Sequence, residues 1–219
     1  MYILLVAATE NEIRTTSDWI SSVKGSINGH EVEVLITGVG CAATSYALTR
    51  QLLWRSPEMV IQAGIGGSFS DQYPPKTVVF IKEEVFADLG AFENGDFTDI
   101  FDLGLAAANS HPFTHRMLVN SQLEPWIKYG LPFVKGATIN CISSTANQIE
   151  AIKNKYDPII ESMEGAALHY ACLMEHIPFI QLRAVSNFVG ERDKSKWKMI
   201  EAITVLNEKL RRILGWMGE

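Results

Sequence analysis

The feature that most constrains the fold is a regular alternation of strand-like runs with segments of helical pattern. Runs of strand length and composition occupy 2–8, 31–37, 59–63, 76–87, 132–140, 159–162 and 178–186. Helical spacing or composition occupies 10–23, 41–54, 146–156, 164–176 and 194–216. Largely apolar strands that alternate with helices are typical of a parallel or mixed sheet covered by helices on both faces. The alternation therefore predicts an α/β fold.

Residues 88–115 interrupt this alternation. They are rich in Asp, Asn, Gly and aromatic residues and show no clear period, which predicts a long loop of the kind that serves a site or an interface. The sequence contains no repeat, low-complexity tract or linker, and 219 residues suit one α/β domain. We therefore expect a single domain over 1–219.

Charge and hydropathy limit the partners. The net charge is −6 without a basic run, which argues against nucleic acid bound through its phosphates and against an anionic membrane. The N-terminal apolar run lacks the basic start of a signal peptide, and no apolar run reaches the roughly 20 residues that span a bilayer. We expect a cytoplasmic protein that binds a small molecule.

Two short motifs point toward cofactors when taken alone. Residues 38–43 read GVGCAA and match the dinucleotide pattern G-x-G-x-x-A, but they follow the second strand rather than the first. His111 and His115 have the helical spacing of metal ligands, yet Pro112 argues against a regular helix between them. We favour a tight turn close to a ligand at 38–43 and expect neither a cofactor nor a metal.

Two further motifs are weak in isolation. Gly64–Gly67 ends the apolar strand at 59–63, and glycines there either form a turn or let a ligand approach the backbone. The sequence ESMEGAA at 161–167 lies where a short strand meets a helix, and a carboxylate at a helix start often has only an electrostatic role.

Together, motifs at four places resemble the nucleoside phosphorylase superfamily. They are ENE at 10–12, GIGG at 64–67, SMEGAA at 162–167 and RAVSN at 183–187. Within that superfamily the chain is similar to the branch of methylthioadenosine/S-adenosylhomocysteine nucleosidases and futalosine hydrolases, and 87–97 and 186–197 resemble the futalosine type more. The resemblance implies a three-layer α/β/α sandwich around a mixed, partly barrel-like sheet. It also implies a homo-oligomer.

The resemblance implies roles for several residues around the sugar. Glu164 would accept hydrogen bonds from the ribose hydroxyls, and Met163 would pack on the sugar. Glu12 would lie over the anomeric carbon and activate water. Ile65 and Gly66 would contact the substrate from the glycine-rich stretch.

The resemblance also places residues around the purine. The stretch 138–140 would run past the base, which makes Ile139 and Asn140 candidate contacts. Asn187 stands where methylthioadenosine nucleosidases have an Asp. An amide donates a hydrogen bond to N7 of the departing purine but is no general acid near neutral pH. Donors suffice better for a 6-oxopurine, whose charge spreads to O6, so Asn187 favours hypoxanthine over adenine.

Hydrolysis is favoured over phosphorolysis. Related phosphorylases hold phosphate with an Arg and a Ser or Thr where this chain has Gln62 and Ile65. Together with Asn187, the resemblance to the futalosine type implies hydrolysis of futalosine to hypoxanthine and dehypoxanthine futalosine, a step toward menaquinone.

Several alternatives and assignments remain open. The alternatives are a nucleosidase for inosine-like or methylthioadenosine-like substrates, a phosphorylase, and a nucleoside-binding protein without catalysis. The last is disfavoured by the two glutamates at 12 and 164. Arg116, Arg192 and Lys194 are candidates for the residue that meets the substrate carboxylate.

Overall fold

The computed structural model describes residues 1–93 and 96–217. Residues 94–95, inside the loop predicted at 88–115, and 218–219, at the end of the predicted domain 1–219, lie outside the described residues. The strands are β1 (Tyr2–Ala7), β2 (Ser26–Ile27), β3 (His30–Ile36), β4 (Met59–Ser68), β5 (Val78–Phe86), β6 (Gly90–Glu93), β7 (Asp96–Asp99), β8 (Phe113–Thr114), β9 (Met117–Val119), β10 (Phe133–Thr138), β11 (Ile160–Ser162) and β12 (Phe179–Phe188). The helices are α1 (Glu10–Ser22), α2 (Cys41–Trp54), α3 (Ala146–Tyr156), α4 (Gly165–Met174) and α5 (Met199–Trp216).

The main sheet is mixed and closes partly into a barrel. Strands β4, β11, β10, β5 and β12 form a ring, because β12 pairs with β4 on one side and with β5 on the other. Strands β1, β3 and β2 extend the sheet outward from β4, and β9 and β8 extend it from β5. The predicted mixed, partly barrel-like sheet is confirmed.

Helices cover the sheet on both faces. Ile3 and Leu5 of β1 join a buried cluster with α1 and α5, whereas Leu4 and Val6 join a second buried cluster with α2 and α4. Successive side chains of a strand point to opposite faces, so a strand buried between two helical layers must be apolar throughout. This explains the continuous apolar run at 2–8, and the predicted three-layer α/β/α arrangement is confirmed.

Strand β4 exchanges one neighbour for another along its length. On one edge its registered pairs with β1 end at Gln62, and its pairs with β11 begin at Gly67. The predicted end of this strand at residue 63 is wrong, because the glycine-rich stretch continues as strand to Ser68. A Cβ on Gly66 would lie 2.8 Å from the carbonyl oxygen of Glu161. The glycines therefore permit close strand packing rather than a turn.

Two other boundaries differ from the sequence-based prediction. The region 88–115 contains an antiparallel pair, β6 with β7, and the carboxylate of Asp99 at its end accepts a hydrogen bond from the Tyr156 hydroxyl. The last helix begins at Met199 rather than at 194, because Lys194–Lys196 form a separate 3-10 turn. In the part of the chain that the structure describes, every helix is too short or too polar to cross a membrane.

Candidate active site

A cavity of about 380 Å³ opens where β1, β10, β11 and β12 end at their carboxyl termini. This edge of a sheet is where α/β folds commonly bind ligands. All but one of the residues proposed from the sequence line it, namely Glu12, Ile65, Gly66, Ile139, Met163, Glu164 and Asn187. The fold thus brings motifs from distant parts of the chain to one place.

Asn140 is the exception. Its backbone N–H and its side-chain amide both donate to the carboxylate of Asp88, at 2.6 Å and 3.2 Å, and its side chain is exposed. The preceding residue, Ile139, is buried and belongs to the cavity wall. Because successive side chains still point to opposite sides of the chain after β10, Ile139 faces the cavity and Asn140 faces solvent.

Glu12 is held by groups on two sides of the cavity. One carboxylate oxygen, Oε2, accepts hydrogen bonds from the backbone N–H and the hydroxyl of Thr9, both at 3.0 Å. The other, Oε1, accepts from the backbone N–H of Ile65 at 3.0 Å. That N–H is available because it lies where β4 has left β1 and has not yet met β11. A carboxylate offers about four acceptor positions, so one position stays open for a substrate or water.

Glu164 precedes α4 at its N-cap position, yet its side chain makes no hydrogen bond to its own helix. Oε1 accepts from the backbone N–H of Gly40 at 3.1 Å, and Oε2 lies 3.3 Å from Nη1 of Arg183. Gly40 adopts a φ of 92°, a conformation suited to glycine, and the turn at 38–43 thereby presents its N–H to the carboxylate. The geometry does not match the purely electrostatic helix-start role.

Arg183 has no assigned role in the sequence analysis, although it belongs to the RAVSN motif. It is fully buried, and its guanidinium donates to Glu164, to the carbonyl of Ile65 and to the side-chain oxygen of Gln62. A Cβ on Gly64 would lie 2.5 Å from Nη1 of Arg183 and 2.9 Å from Oε1 of Glu12. The sequence signal is a charge in the middle of a mostly apolar strand, since a buried charge requires a partner.

Asn187 lies on β12 beside the glycine-rich stretch of β4, where it pairs with Gly67. Its side-chain oxygen accepts from the hydroxyl of Ser186 at 2.7 Å, and its amide nitrogen donates to the carbonyl of Phe188 at 2.9 Å. An amide nitrogen carries two hydrogens, so one hydrogen stays available to a ligand. The contacts with Ser186 and Phe188 fix the orientation of the amide.

Asn207 on α5 was also missed, and it fixes the helix that carries Glu12. Its side-chain oxygen accepts from the backbone N–H and the hydroxyl of Thr16, at 3.0 Å and 2.7 Å. Its amide nitrogen donates to the carbonyl of Glu12 at 2.8 Å. The amide of Asn207 therefore touches two backbone groups that ordinarily pair with each other in an α-helix.

Of the three cations considered for a substrate carboxylate, one lies beside the cavity. Cζ of Arg192 is 5.9 Å from the ring centroid of Trp197, a residue of the cavity wall. Arg116 is instead paired with Asp99 and Asp102, at 3.1 Å and 2.6 Å. Lys194 is exposed on the 3-10 turn.

The histidine pair at 111 and 115 forms no helical metal site. His115 has a φ of 49° and follows β8 directly, so the two residues do not share a helix face. Within residues 1–93 and 96–217, no group of three or more His, Cys, Asp or Glu side chains is placed to hold a metal ion.

Known proteins resemble this chain in sequence and in fold. Residues 7–215 match the family model described as the phosphorylase superfamily. A futalosine hydrolase from Thermus thermophilus is 30% identical over 188 residues, covering 84% of this chain and 81% of that protein. A futalosine hydrolase from Streptomyces coelicolor is 30% identical over 187 residues, covering 83% and 77%.

A solved structure shares the fold. The 5′-methylthioadenosine/S-adenosylhomocysteine nucleosidase of Neisseria meningitidis, in complex with methylthio-immucillin-A, superposes with a TM-score of 0.83 at 15% identity and covers 98% of both chains. Because the family model spans 7–215 and the curated relatives match over most of their length, the chain belongs to the phosphorylase superfamily.

Proposed function

We propose that this protein is a purine nucleosidase that hydrolyses the N-glycosidic bond of futalosine and releases hypoxanthine, in the route to menaquinone. The observation that carries the proposal is the pair of buried carboxylates, Glu12 and Glu164, held at one cavity by donors from the surrounding backbone and by Arg183. The similarity to two futalosine hydrolases supports the choice of substrate.

We assign recognition of the ribose to Glu164. Gly40 and Arg183 occupy one position on each of its oxygens, and a carboxylate keeps further acceptor positions for two adjacent hydroxyls. Met163 belongs to the same wall and supplies an apolar surface against the ribose. Arg183 makes the burial of this charge tolerable, because a buried carboxylate needs a partner.

The nucleophile is assigned to a water molecule at Glu12. In the reaction the bond between C1′ and N9 breaks, and its electron pair leaves with the purine. The water oxygen forms the new bond to C1′, while its proton passes to the open position of the Glu12 carboxylate. The purine takes a proton at a ring nitrogen from solvent, and Glu12 returns its own proton to solvent afterwards. A positioned general base of this kind contributes about 10²–10⁴-fold in rate.

We assign stabilisation of the leaving purine to Asn187. Its remaining N–H suits N7, where negative charge develops as the bond breaks. Ser186 holds the amide oxygen, which keeps the donor end toward the cavity. An amide stabilises this charge without transferring a proton, and this suits a 6-oxopurine better than adenine.

Water rather than phosphate is favoured as the nucleophile. Gln62 is buried and engaged with Arg183, and the side chain of Ile65 offers no hydrogen bond. The charge of Arg183 is already balanced by Glu164. A phosphate dianion entering here would meet two carboxylates with no free cation beside them among the described residues of the cavity wall.

The test is incubation with futalosine in phosphate-free buffer, with hypoxanthine measured as the product. Hypoxanthine release that is independent of phosphate is expected. A requirement for phosphate would instead indicate a phosphorylase. Inosine, methylthioadenosine and S-adenosylhomocysteine are assayed in parallel, and a higher kcat/KM for any of them than for futalosine would reassign the substrate. Saturable binding with no base released from any nucleoside would indicate a binding protein.

A further inference from the structure

We propose that Glu161 recognises the six-position edge of the base, with its carboxylate accepting the N1–H of a 6-oxopurine. The inference rests on the proposed purine nucleosidase function and names the group that selects the base. The role assigned to Asn187 concerns N7, on the other side of the purine.

The sheet register puts Glu161 and Asn187 on either side of one glycine. Glu161 of β11 pairs with Gly67 of β4, and Asn187 of β12 pairs with the same glycine from the opposite edge. Registered residues on neighbouring strands project to the same face, and all three belong to the cavity wall. A Cβ on Gly67 would lie 3.0 Å from Cγ2 of Val189 and 3.5 Å from the amide nitrogen of Asn187. The glycine therefore lets Val189 and Asn187 pack close to β4, and Glu161 and Asn187 flank it from the two neighbouring strands.

The spacing of these strands suits one flat base. Adjacent strands lie about 4.7–4.9 Å apart, so the backbones of β11 and β12 are at most roughly 10 Å apart across β4, and closer where the five strands form a ring. A purine lying between these two strands with N7 toward Asn187 presents its six-membered ring toward β11. The group that it meets there is the carboxylate of Glu161.

The carboxylate of Glu161 is buried and incompletely paired. The residue is 6% exposed. Its Oε1 lies 3.4 Å from the backbone N–H of Ser143, whereas Oε2 has no hydrogen-bond partner among the described residues. Buried polar atoms are nearly always paired in folded proteins, so an unpaired carboxylate oxygen in a cavity wall is a site for a ligand donor.

The two kinds of purine differ at this edge. A 6-oxopurine carries a hydrogen on N1, which an ionised carboxylate accepts. A 6-aminopurine has a lone pair at N1, which an ionised carboxylate repels. Only the protonated carboxyl pairs with both groups of the 6-aminopurine, by donating its O–H to N1 and accepting from the amino group.

The protonation of Glu161 therefore controls the selection. Burial raises the pKa of this carboxyl to about 7. Of the charged groups around it, Arg192 lowers the pKa and Asp88 raises it, while the hydrogen bond from Ser143 also lowers it. Above this pKa the ionised form dominates and favours the 6-oxopurine. Below it the neutral form accepts both bases, so selectivity for hypoxanthine over adenine should rise as the pH rises.

The experiment measures binding of the free bases, which does not depend on turnover. Hypoxanthine, 1-methylhypoxanthine and adenine are titrated calorimetrically into the wild type at about pH 6 and about pH 8, on either side of that pKa. We expect hypoxanthine to bind about 10- to 100-fold tighter than its N1-methyl derivative at the higher pH, the usual effect of losing a hydrogen bond to a charged group. The ratio of hypoxanthine to adenine affinity should rise about tenfold between the two pH values.

Two variants and one control complete the test. Glu161→Gln keeps the shape and pairs with either base, so the affinity ratio should fall about tenfold and lose its pH dependence. Glu161→Ala should bind 1-methylhypoxanthine and hypoxanthine about equally. Glu150→Gln, the same change on the exposed face of α3, should behave as the wild type. If Glu161→Gln keeps the wild-type ratio and pH dependence, the proposal is overturned.

The same proteins are assayed with futalosine, so that failure of the further inference can be distinguished from failure of the proposed function. If hypoxanthine is released but base selection ignores Glu161, the further inference fails and the proposed function stands. If base selection follows Glu161 while no nucleoside is hydrolysed, the recognition site stands and the proposed function fails. If the wild type binds none of the bases, the recognition site is overturned whatever the reaction.

Discussion

Replacing Glu12 by Gln tests two things together: whether Glu12 activates the water nucleophile, and whether the hydrogen bonds that hold its carboxylate stabilise the fold. The carboxylate accepts three hydrogen bonds, two from Thr9 and one from the backbone N–H of Ile65. A glutamine offers one oxygen, and its amide nitrogen must face one of these donors. The hydroxyl of Thr9 can rotate to accept, but a backbone N–H cannot. At least one backbone donor therefore loses its partner, whichever way the amide turns.

The magnitude follows from that count. One unsatisfied buried donor costs about 1–3 kcal/mol of the free energy of unfolding. For a chain of this length each 1 kcal/mol lowers Tm by about 2–4 °C, so the variant should melt roughly 2–12 °C lower. Loss of the base should lower kcat by about 10²–10⁴-fold, because the amide cannot take the proton of the water.

The assay is hypoxanthine release from futalosine at saturation, with thermal unfolding measured on the same samples. Glu10→Gln is the matched control, since Glu10 is exposed in the same first turn of α1, and it should retain the wild-type kcat and Tm. A Glu12→Gln protein with kcat within about tenfold of wild type would remove Glu12 from the base role. An unchanged Tm would contradict a stabilising role for the three hydrogen bonds that the Glu12 carboxylate accepts.

Three other substitutions are expected to have distinct effects. Gly64→Ala inserts a Cβ 2.5 Å from Nη1 of Arg183, and the displacement should lower kcat about 10²-fold; near-normal kcat would show that the site tolerates the shift. Asn187→Asp should move the kcat/KM ratio of futalosine to its six-amino analogue toward the latter, because a protonated Asp donates a proton to N7; an unchanged ratio would show that this residue does not read the base. Asn207→Ala should lower the free energy of unfolding by about 1–3 kcal/mol and also lower kcat, since the helix carrying Glu12 loses its link to α5; urea unfolding and hydrolysis rates check both, and an unaltered kcat would limit Asn207 to stability.

The sequence predicted the layers of the fold for a physical reason that acts locally. A strand buried on both faces must be apolar along its whole length, so 2–8 was recognisable without its partners. Glu12 and Glu164 were instead proposed from the family resemblance, because each belongs to a motif that occurs in a specific order along the chain, and both line the cavity. Asn140 was proposed on the same basis but does not line the cavity. A shift of one position along the chain changes whether a side chain points inward or outward, and Asn140 points outward to Asp88.

The rest depends on pairings that no local pattern encodes. The continuation of β4 through 64–68 requires β11 and β12 to approach glycines from either side, and those strands lie about a hundred residues further along the chain. The contacts of Arg183 and the unpaired oxygen of Glu161 follow from the same pairings. A charged residue within a mostly apolar strand indicates that a buried polar or charged partner exists, but it does not identify that partner.

The change of neighbours along β4 has a consequence for how such an enzyme diversifies. The donor that holds Oε1 of Glu12 is a main-chain amide, left free by topology rather than supplied by a side chain. Substitution cannot delete it, except by proline. Substitutions can therefore replace most side chains of the chain while this donor is inherited with the backbone. New substrates would then arise at positions such as 161 and 187, which we propose frame the base, while the place of bond cleavage stays unchanged.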